Sequence, residues 1–141
     1  YPVSVKQIVE MGLYSKRRWL KPLTKKQKQS AIDALEQLGM AAHVHKNFRE
    51  LSGGMKQKVL IARALVCQPD VIIMDEPTSE LDEQSETEVL SHLKQLNREH
   101  GKTILMVHHD LERVKELTGI VCKVGRGKVE LVTIHGGAKN A

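Results

Sequence analysis

Apolar residues follow two kinds of pattern along the chain, and the change comes near residue 70. Before it the spacing is helical. Val5, Ile8, Val9 and Met11 recur at three- and four-residue intervals behind Ser4, which predicts a short helix over Ser4 to Gly12 with Ser4 as its cap. Leu13 to Leu23 reads as a basic connector. Thr24 and Gln27 then have capping-box spacing, Ile32, Leu35 and Leu38 lie on one stripe, and Gly39 can close the helix. Ala41 to Glu50 is irregular and carries histidines. Leu51-Ser52-Gly53-Gly54 opens a further helix running to about Val66, which Pro69-Asp70 breaks.

After residue 70 short apolar runs take over. Val71-Ile72-Ile73-Met74 ends in Asp75-Glu76-Pro77, the pattern of a buried strand in a parallel sheet, with Pro77 as its stop. Glu83 to His100 starts acidic and turns Val89, Leu90, Leu93 and Leu96 inward, with Gly101 as its stop. Thr103 to Val107 predicts a second buried strand, and Asp110 can cap a helix after it. Ile120 to Val124 and Lys128 to Val132, joined by Gly125-Arg126-Gly127, predict a hairpin. The order is helices first, then β-α-β-α-β-β, and Gly136 to Ala141 reads as a loose tail.

Composition narrows the class. At 141 residues, 40% hydrophobic and 28% charged, the chain fits one globular domain and excludes disorder and collagen-like repetition. Its longest apolar stretch, Val59 to Cys67, is interrupted by Arg63, against the roughly 18 apolar residues of a membrane-spanning helix. Cys67 and Cys122 make neither a disulfide framework nor a metal knuckle, so a reducing, cytosolic compartment is expected. The net charge of +5 is local. Seven cations fall between Lys16 and Lys28, where no acid occurs, and without them the chain carries 15 cations against 17 acids. The chain opens on Tyr1 rather than Met, with no secretory signal pattern after it, as expected of a piece of something longer.

Three features could carry chemistry. Asp75 and Glu76 come at the carboxyl end of a strand, where open α/β sheets bind ligands. Adjacent strand residues point differently, so one carboxylate can hold Mg²⁺ while the other orients an attacking water. Alone, the pair is equally a polar strand end in solvent. Ser52-Gly53-Gly54 places two glycines at a helix start, where backbone N–H groups can approach a phosphate. Alone, that is an ordinary serine cap with permissive glycines. His109 ends the Thr103–Val107 strand on the same sheet edge as the two acids and could hydrogen-bond a terminal phosphate or the water.

Weaker signals read as structure. His43-x-His45 lacks a nearby third metal ligand, and His108 reads as a strand residue with no catalytic task. The Lys16–Lys28 run is most simply a solvated face, its sharper reading being attraction to anionic headgroups or an acidic membrane partner. With only four aromatics, Tyr1, Tyr14, Trp19 and Phe48, no stacking platform for nucleic acid is visible.

Taken together, these segments resemble the nucleotide-binding domain of ATP-binding cassette (ABC) ATPases. Leu51-Ser52-Gly53-Gly54-Met55-Lys56-Gln57-Lys58-Val59, followed by Ile61-Ala62-Arg63-Ala64-Leu65, resembles the family signature. Val71 to Thr78 resembles the Walker B strand, Ser79-Glu80-Leu81-Asp82 the D-loop, and Thr103 to Asp110 the switch-histidine strand, with His109 at the position before Asp. The resemblance covers nearly the whole chain. It implies an α/β fold with a P-loop NTPase-like (RecA-like) core lacking its N-terminal portion, an α-helical subdomain and a C-terminal β-hairpin. The expected divisions are 1–66 for the helical subdomain ending in the signature helix, 67–135 for the distal half of the core, and 136–141 for the tail.

By the same resemblance, Asp75 would bind Mg²⁺ through water, Glu76 would polarise the attacking water, and His109 would sense the γ-phosphate. Ser52, Gly53, Gly54 and Met55 would contact ATP held by a partner subunit, and Asp82 would shape the contact between domains. The implied cofactors are ATP and Mg²⁺. The implied partners are a second ATP-binding subunit in a head-to-tail dimer, transmembrane permease subunits and, indirectly, a solute-binding protein, with no nucleic acid. The place is the cytoplasmic face of the membrane. The start Tyr1 to Gly12 and the run Arg17-Arg18-Trp19-Leu20 leading to Thr24-Lys25-Lys26 resemble the zinc/manganese/iron metal-importer branch, and siderophore-type importers resemble the same stretch.

The sequence departs from the family pattern in two places. Met55 stands where the family usually has Gln. The phosphate-cradling loop G-x-x-x-x-G-K-[S/T] and the Q-loop glutamine are absent. Gly101-Lys102-Thr103 mimics the end of that loop, but Leu96 occupies the place of its first glycine and the stretch runs from helix to strand. The expectation is therefore an ABC-type ATPase subunit, powering metal-cation import when complete, whose 141 residues alone are inactive. The alternatives are a non-transport ABC ATPase of the translation or DNA-repair type and an inactive remnant.

Overall fold

The structure, a computed structural model, describes residues 2–16, 22–110, 120–125 and 127–133. Helices α1 (Val5–Met11), α2 (Lys25–Glu36) and α3 (Gly53–Leu65) come first, followed by strand β1 (Val71–Asp75), helix α4 (Glu83–His100) and strand β2 (Thr103–Val107). Strands β3 (Ile120–Gly125) and β4 (Lys128–Thr133) come last, and short 3-10 helices occupy Gly12–Lys16, Ala41–His43 and Phe48–Glu50. The basic residues Arg17, Arg18 and Lys21, the helix expected after Asp110, Arg126 of the hairpin turn and the tail 136–141 lie outside the described residues.

The local signals are met by hydrogen bonds. Ser4 and Gln7 form a reciprocal capping box on α1, with bonds of 2.8 and 3.3 Å, and Thr24 and Gln27 repeat it on α2 at 3.1 and 3.3 Å. Ser52 caps α3 and Asp82 caps α4. At the far end of α4, Gly101 takes φ 62°, a left-handed conformation that glycine adopts without steric cost. The N–H groups of both Gly101 and Lys102 reach back to the Leu96 carbonyl. The Gly101-Lys102-Thr103 stretch is thus a helix C-terminus feeding a strand.

One continuous apolar cluster joins the four helices and β1, with Ile104 and Met106 of β2 packed against it. Val5 and Val9 of α1, Ala31 and Leu35 of α2, Val59 and Ala62 of α3, Ile72 of β1, and Val89, Leu93 and Leu96 of α4 all belong to it. Each large aliphatic side chain taken from water here contributes about 1.5–3 kcal/mol. Helix α1 packs on both α2 and α3, and its first N–H donates to the Lys46 carbonyl at 2.9 Å, anchoring it to the irregular segment.

β1 and β2 pair in parallel, Val71 opposite Thr103 through Asp75 opposite Val107. β3 and β4 pair antiparallel, Ile120 opposite Thr133. The parallel pair corrects one expectation. The apolar runs predict two buried strands, yet only Ile72, Met74, Ile104 and Met106 face the core, while Ile73 is 73% exposed and Leu105 58%. Side chains alternate across a strand, and among the described residues helices cover one face of this sheet only.

Candidate functional site

The parallel pairing brings the ends of β1 and β2 side by side, so Asp75-Glu76 and His108-His109 leave the sheet at the same edge. The last bond of the ladder is donated by the Glu76 N–H to the Val107 carbonyl at 3.0 Å. Glu76 itself has φ 42°, left-handed backbone that a residue with a Cβ rarely takes. Ser79 holds it there. The Ser79 N–H and hydroxyl both donate to the Glu76 carbonyl, at 3.3 and 3.2 Å, closing a turn directly after the strand. Strain of this kind costs about 1–3 kcal/mol and persists only where neighbours fix it.

The turn re-aims the glutamate. Asp75 has the parity of Val71 and Ile73 and lies on the uncovered face of the sheet, exposed to solvent. Glu76, half exposed, points its Oε1 to 3.8 Å from Nδ1 of His109, whose side chain is 68% exposed. That distance is beyond a hydrogen bond. It leaves two open polar side chains, one able to accept a proton and one able to donate a hydrogen bond, flanking the same solvent-facing spot. Asp75 is a single exposed carboxylate, and among the described residues no group of three or more ligating side chains gathers. This fits Mg²⁺, which keeps several waters and takes one or two carboxylates together with substrate phosphates.

His108, beside His109, is placed oppositely. Its side chain is 2% exposed, and its Nε2 lies 3.2 Å from the Thr78 hydroxyl and 3.3 Å from Glu86 Oε1. The Asp110 N–H donates to its Nδ1 at 3.0 Å, and the Thr78 hydroxyl donates to Glu86 Oε1 at 3.1 Å. Sequence reasoning assigns no role to His108, Thr78 or Glu86. Adjacent histidines at a strand end were the available signal, since alternation turns one of them inward.

The second group of expected residues surrounds the start of α3. The Ser52 hydroxyl accepts from the Met55 N–H at 3.3 Å, and the Met55 side chain packs against the core. Gly53 and Gly54 lie against the chain leading into α4. A Cβ on Gly54 would fall 2.7 Å from the Ser85 Cβ, and one on Gly53 3.2 Å from Leu81 Cδ2. Packing alone therefore calls for glycine at position 54, whereas at position 53 only the tip of the Leu81 side chain stands close. Asp82 accepts at 2.9 Å from both the Ser85 N–H and the Ser85 hydroxyl, and these bonds, the backbone one first, hold its carboxyl below the ordinary range. The first turn of α4 thus touches both groups: Ser85 meets Gly54, and Glu86 meets His108.

The weaker histidine motif gains nothing, for His43 and His45 join no cluster of ligating side chains among the described residues.

Comparison with known proteins converges on one family. Residues 4–79 match the ABC transporter family. The zinc uptake system ATP-binding protein of Listeria monocytogenes is 38% identical over 126 residues, covering 89% of this chain and 49% of that protein. The zinc transport system ATP-binding protein of Treponema pallidum is 41% identical, covering 82% of this chain and 43% of that one. A manganese transport system ATP-binding protein of Listeria monocytogenes is 42% identical, covering 81% and 47%. Among solved structures, an ABC transporter in an inward-facing conformation superposes with a TM-score of 0.90 at 28% identity, over 95% of this chain and 53% of that one. A dimeric ATP-binding cassette bound to ADP and Pi superposes with a TM-score of 0.75 at 28% identity, over 95% and 58%. The chain spans about half the length of the curated relatives it matches.

Proposed function

Because the chain belongs to the ABC transporter family, we propose that it forms part of an ATP-binding subunit whose ATP hydrolysis drives import of a divalent metal cation. The observation that carries the catalytic reading is the meeting of Glu76 and His109, 3.8 Å apart, at the carboxyl ends of two parallel strands. The cargo class is supported by the zinc and manganese systems among the relatives.

In this reading Glu76 accepts the proton of the attacking water at its carboxylate. The turn closed by Ser79 keeps that carboxylate in front of His109 rather than on the strand's own face. His109 donates a ring N–H toward the transferred phosphoryl group, and Asp75 would hold Mg²⁺ through water. When bound, ATP supplies the phosphoryl group and Mg²⁺ neutralises charge building on it. Ser52, Gly53 and Gly54 present the α3 N-terminus, with its unpaired N–H groups and dipole, to nucleotide held by a second ATP-binding subunit. Met55 lies in the same turn beside the nucleotide, its own N–H capped by Ser52, and Asp82 fixes the start of α4 beside that surface. Permease subunits and a solute-binding protein complete the assembly at the cytoplasmic face of the membrane.

The division into a helical part, 1–66, a distal core, 67–135, and a tail, 136–141, belongs to the same proposal. So does inactivity of the 141 residues alone, since they carry no phosphate-cradling loop. The test is Glu76→Gln in the complete subunit. Turnover should fall by at least about a hundredfold, the scale of general acid–base catalysis, with ATP binding kept. Unchanged turnover removes Glu76 from this role, and appreciable Mg-ATP turnover by the 141 residues alone refutes the second claim.

A further inference from the structure

One buried polar cluster takes no part in the hydrolytic chemistry assigned to Asp75, Glu76 and His109. His108, Thr78 and Glu86 come from three separate segments: the end of β2, the turn after β1 and the first turn of α4. An apolar side chain would fill the His108 position without needing partners for two ring nitrogens. Here both nitrogens are satisfied. Because the Asp110 N–H donates to Nδ1, that nitrogen carries no proton, so the ring proton sits on Nε2, directed at Thr78 and Glu86. The tautomer and the ring plane of His108 are therefore both fixed.

His109 has no such lock. It is 68% exposed, and Glu76 Oε1 at 3.8 Å is too far to hold its ring. Its ring lies against that of its neighbour. The two imidazoles stack, with centroids 5.4 Å apart and planes within 13°. A buried ring held by three hydrogen-bond partners thus gives an exposed ring a flat surface to lie on, beside Glu76.

We infer that His108 is a positioning residue: clamped by Thr78, Glu86 and the Asp110 N–H, it sets the ring orientation of His109 and so the geometry of the Glu76–His109 pair. The inference rests on the catalytic reading of that pair. It also ties the pair to the start of α4, since Glu86 is one residue beyond Ser85, which bonds to Asp82 and touches Gly54. A disturbance at the Asp82 turn has a short covalent and hydrogen-bonded route to His109.

The test compares His108→Gln, Thr78→Val and Thr78→Ser in the complete ATP-binding subunit, with Glu76→Gln and His109→Ala as references. Thr78→Val keeps the shape and removes the hydroxyl, and Thr78→Ser restores it. His108→Gln and Thr78→Val should lower kcat on the order of tenfold or more, as expected when a catalytic group is misaligned. KM for ATP should stay within about twofold, because the lost interaction belongs to the transition state. Thr78→Ser should recover most of the rate. The second readout is independent of turnover: the ring carbon–proton NMR signals of His109 in nucleotide-free protein should move toward motionally averaged values in Thr78→Val, although the Thr78 hydroxyl bonds to Glu86 and His108.

Parent-like kcat in His108→Gln and Thr78→Val, with Glu76→Gln inactive, overturns the inference and leaves the catalytic reading standing. A reduced kcat with an unmoved His109 signal in Thr78→Val also overturns it. Parent-like turnover in Glu76→Gln and His109→Ala instead overturns the catalytic reading itself. If His108→Gln fails to fold, the Thr78 pair decides.

Discussion

Replacing Gly54 by alanine separates a structural role of the signature glycines from a ligand-binding one. The added Cβ would lie 2.7 Å from the Ser85 Cβ and 2.9 Å from its Oγ, where ordinary contact begins near 3.4 Å, so something must yield by about 0.7 Å. Ser85 cannot yield freely. It sits in the first turn of α4, and its N–H and hydroxyl both bond to Asp82 at 2.9 Å. Overpacking of this kind costs about 1–3 kcal/mol. Opening the Asp82 cap adds to the loss. Against it stands the gain of alanine over glycine in a helix, at most about 1 kcal/mol. The net expectation is a destabilisation of about 1–2 kcal/mol, read as a lower urea midpoint with an unchanged m-value. Ser85→Gly deletes the atoms in the way, so Gly54→Ala should cost less in that background, with a coupling of about 1 kcal/mol or more in the double-mutant cycle. Gly54→Ala proteins more stable than the parent, or a cycle that adds without coupling, would refute the packing argument. The result also bears on kinetics, because lost turnover in Gly54→Ala is evidence for phosphate contact only after the folding defect has been measured.

The His92 imidazole is held below its ordinary value of 6.5, first by burial and then by Lys58, so the unfolded chain takes up a proton more readily than the folded one. Stability should be full above about pH 6.5 and fall as pH drops through and below it; the urea midpoint should decrease between about pH 7.5 and pH 5.5, and His92→Gln should flatten that slope. A parent midpoint constant over this range refutes the assignment. At lower pH, below the ordinary carboxylate range, Glu88 and Asp82 add to the loss as they are protonated, because their folded values are depressed by hydrogen bonds from Lys58 and Ser85. On the sheet, Ile73→Thr with Leu105→Thr should change stability by less than about 1 kcal/mol, since both side chains are mostly exposed, whereas Leu93→Ala should cost about 2–5 kcal/mol. Equal losses in thermal melts would show that the sheet's second face is covered.

Much of the local structure was legible in the chain itself. Ser4–Gln7, Thr24–Gln27, Ser52 and Asp82 cap helices where their spacing predicts, because capping and the 3.6-residue period act over three or four positions. The strand ends that carry Asp75, Glu76 and His109 were equally readable, since short apolar runs bounded by Pro77 and Asp110 leave little choice.

Tertiary structure alone decided what those ends do to one another. His108 and His109 are the same residue type at adjacent positions, yet one is 2% exposed and the other 68%. The difference is made by Thr78, thirty residues away, and by Glu86 on α4. Gly54 of α3 is required by Ser85, which no rule of local spacing connects to it. Ile73 and Leu105 are as apolar as their neighbours, and whether an apolar residue is buried depends on what packs over that face of the sheet. A sequence states its helix periods and strand alternation directly because they arise from bonds and sterics within a few residues. Which side chains finally meet is set by the packing of whole elements, where separation along the chain no longer measures distance.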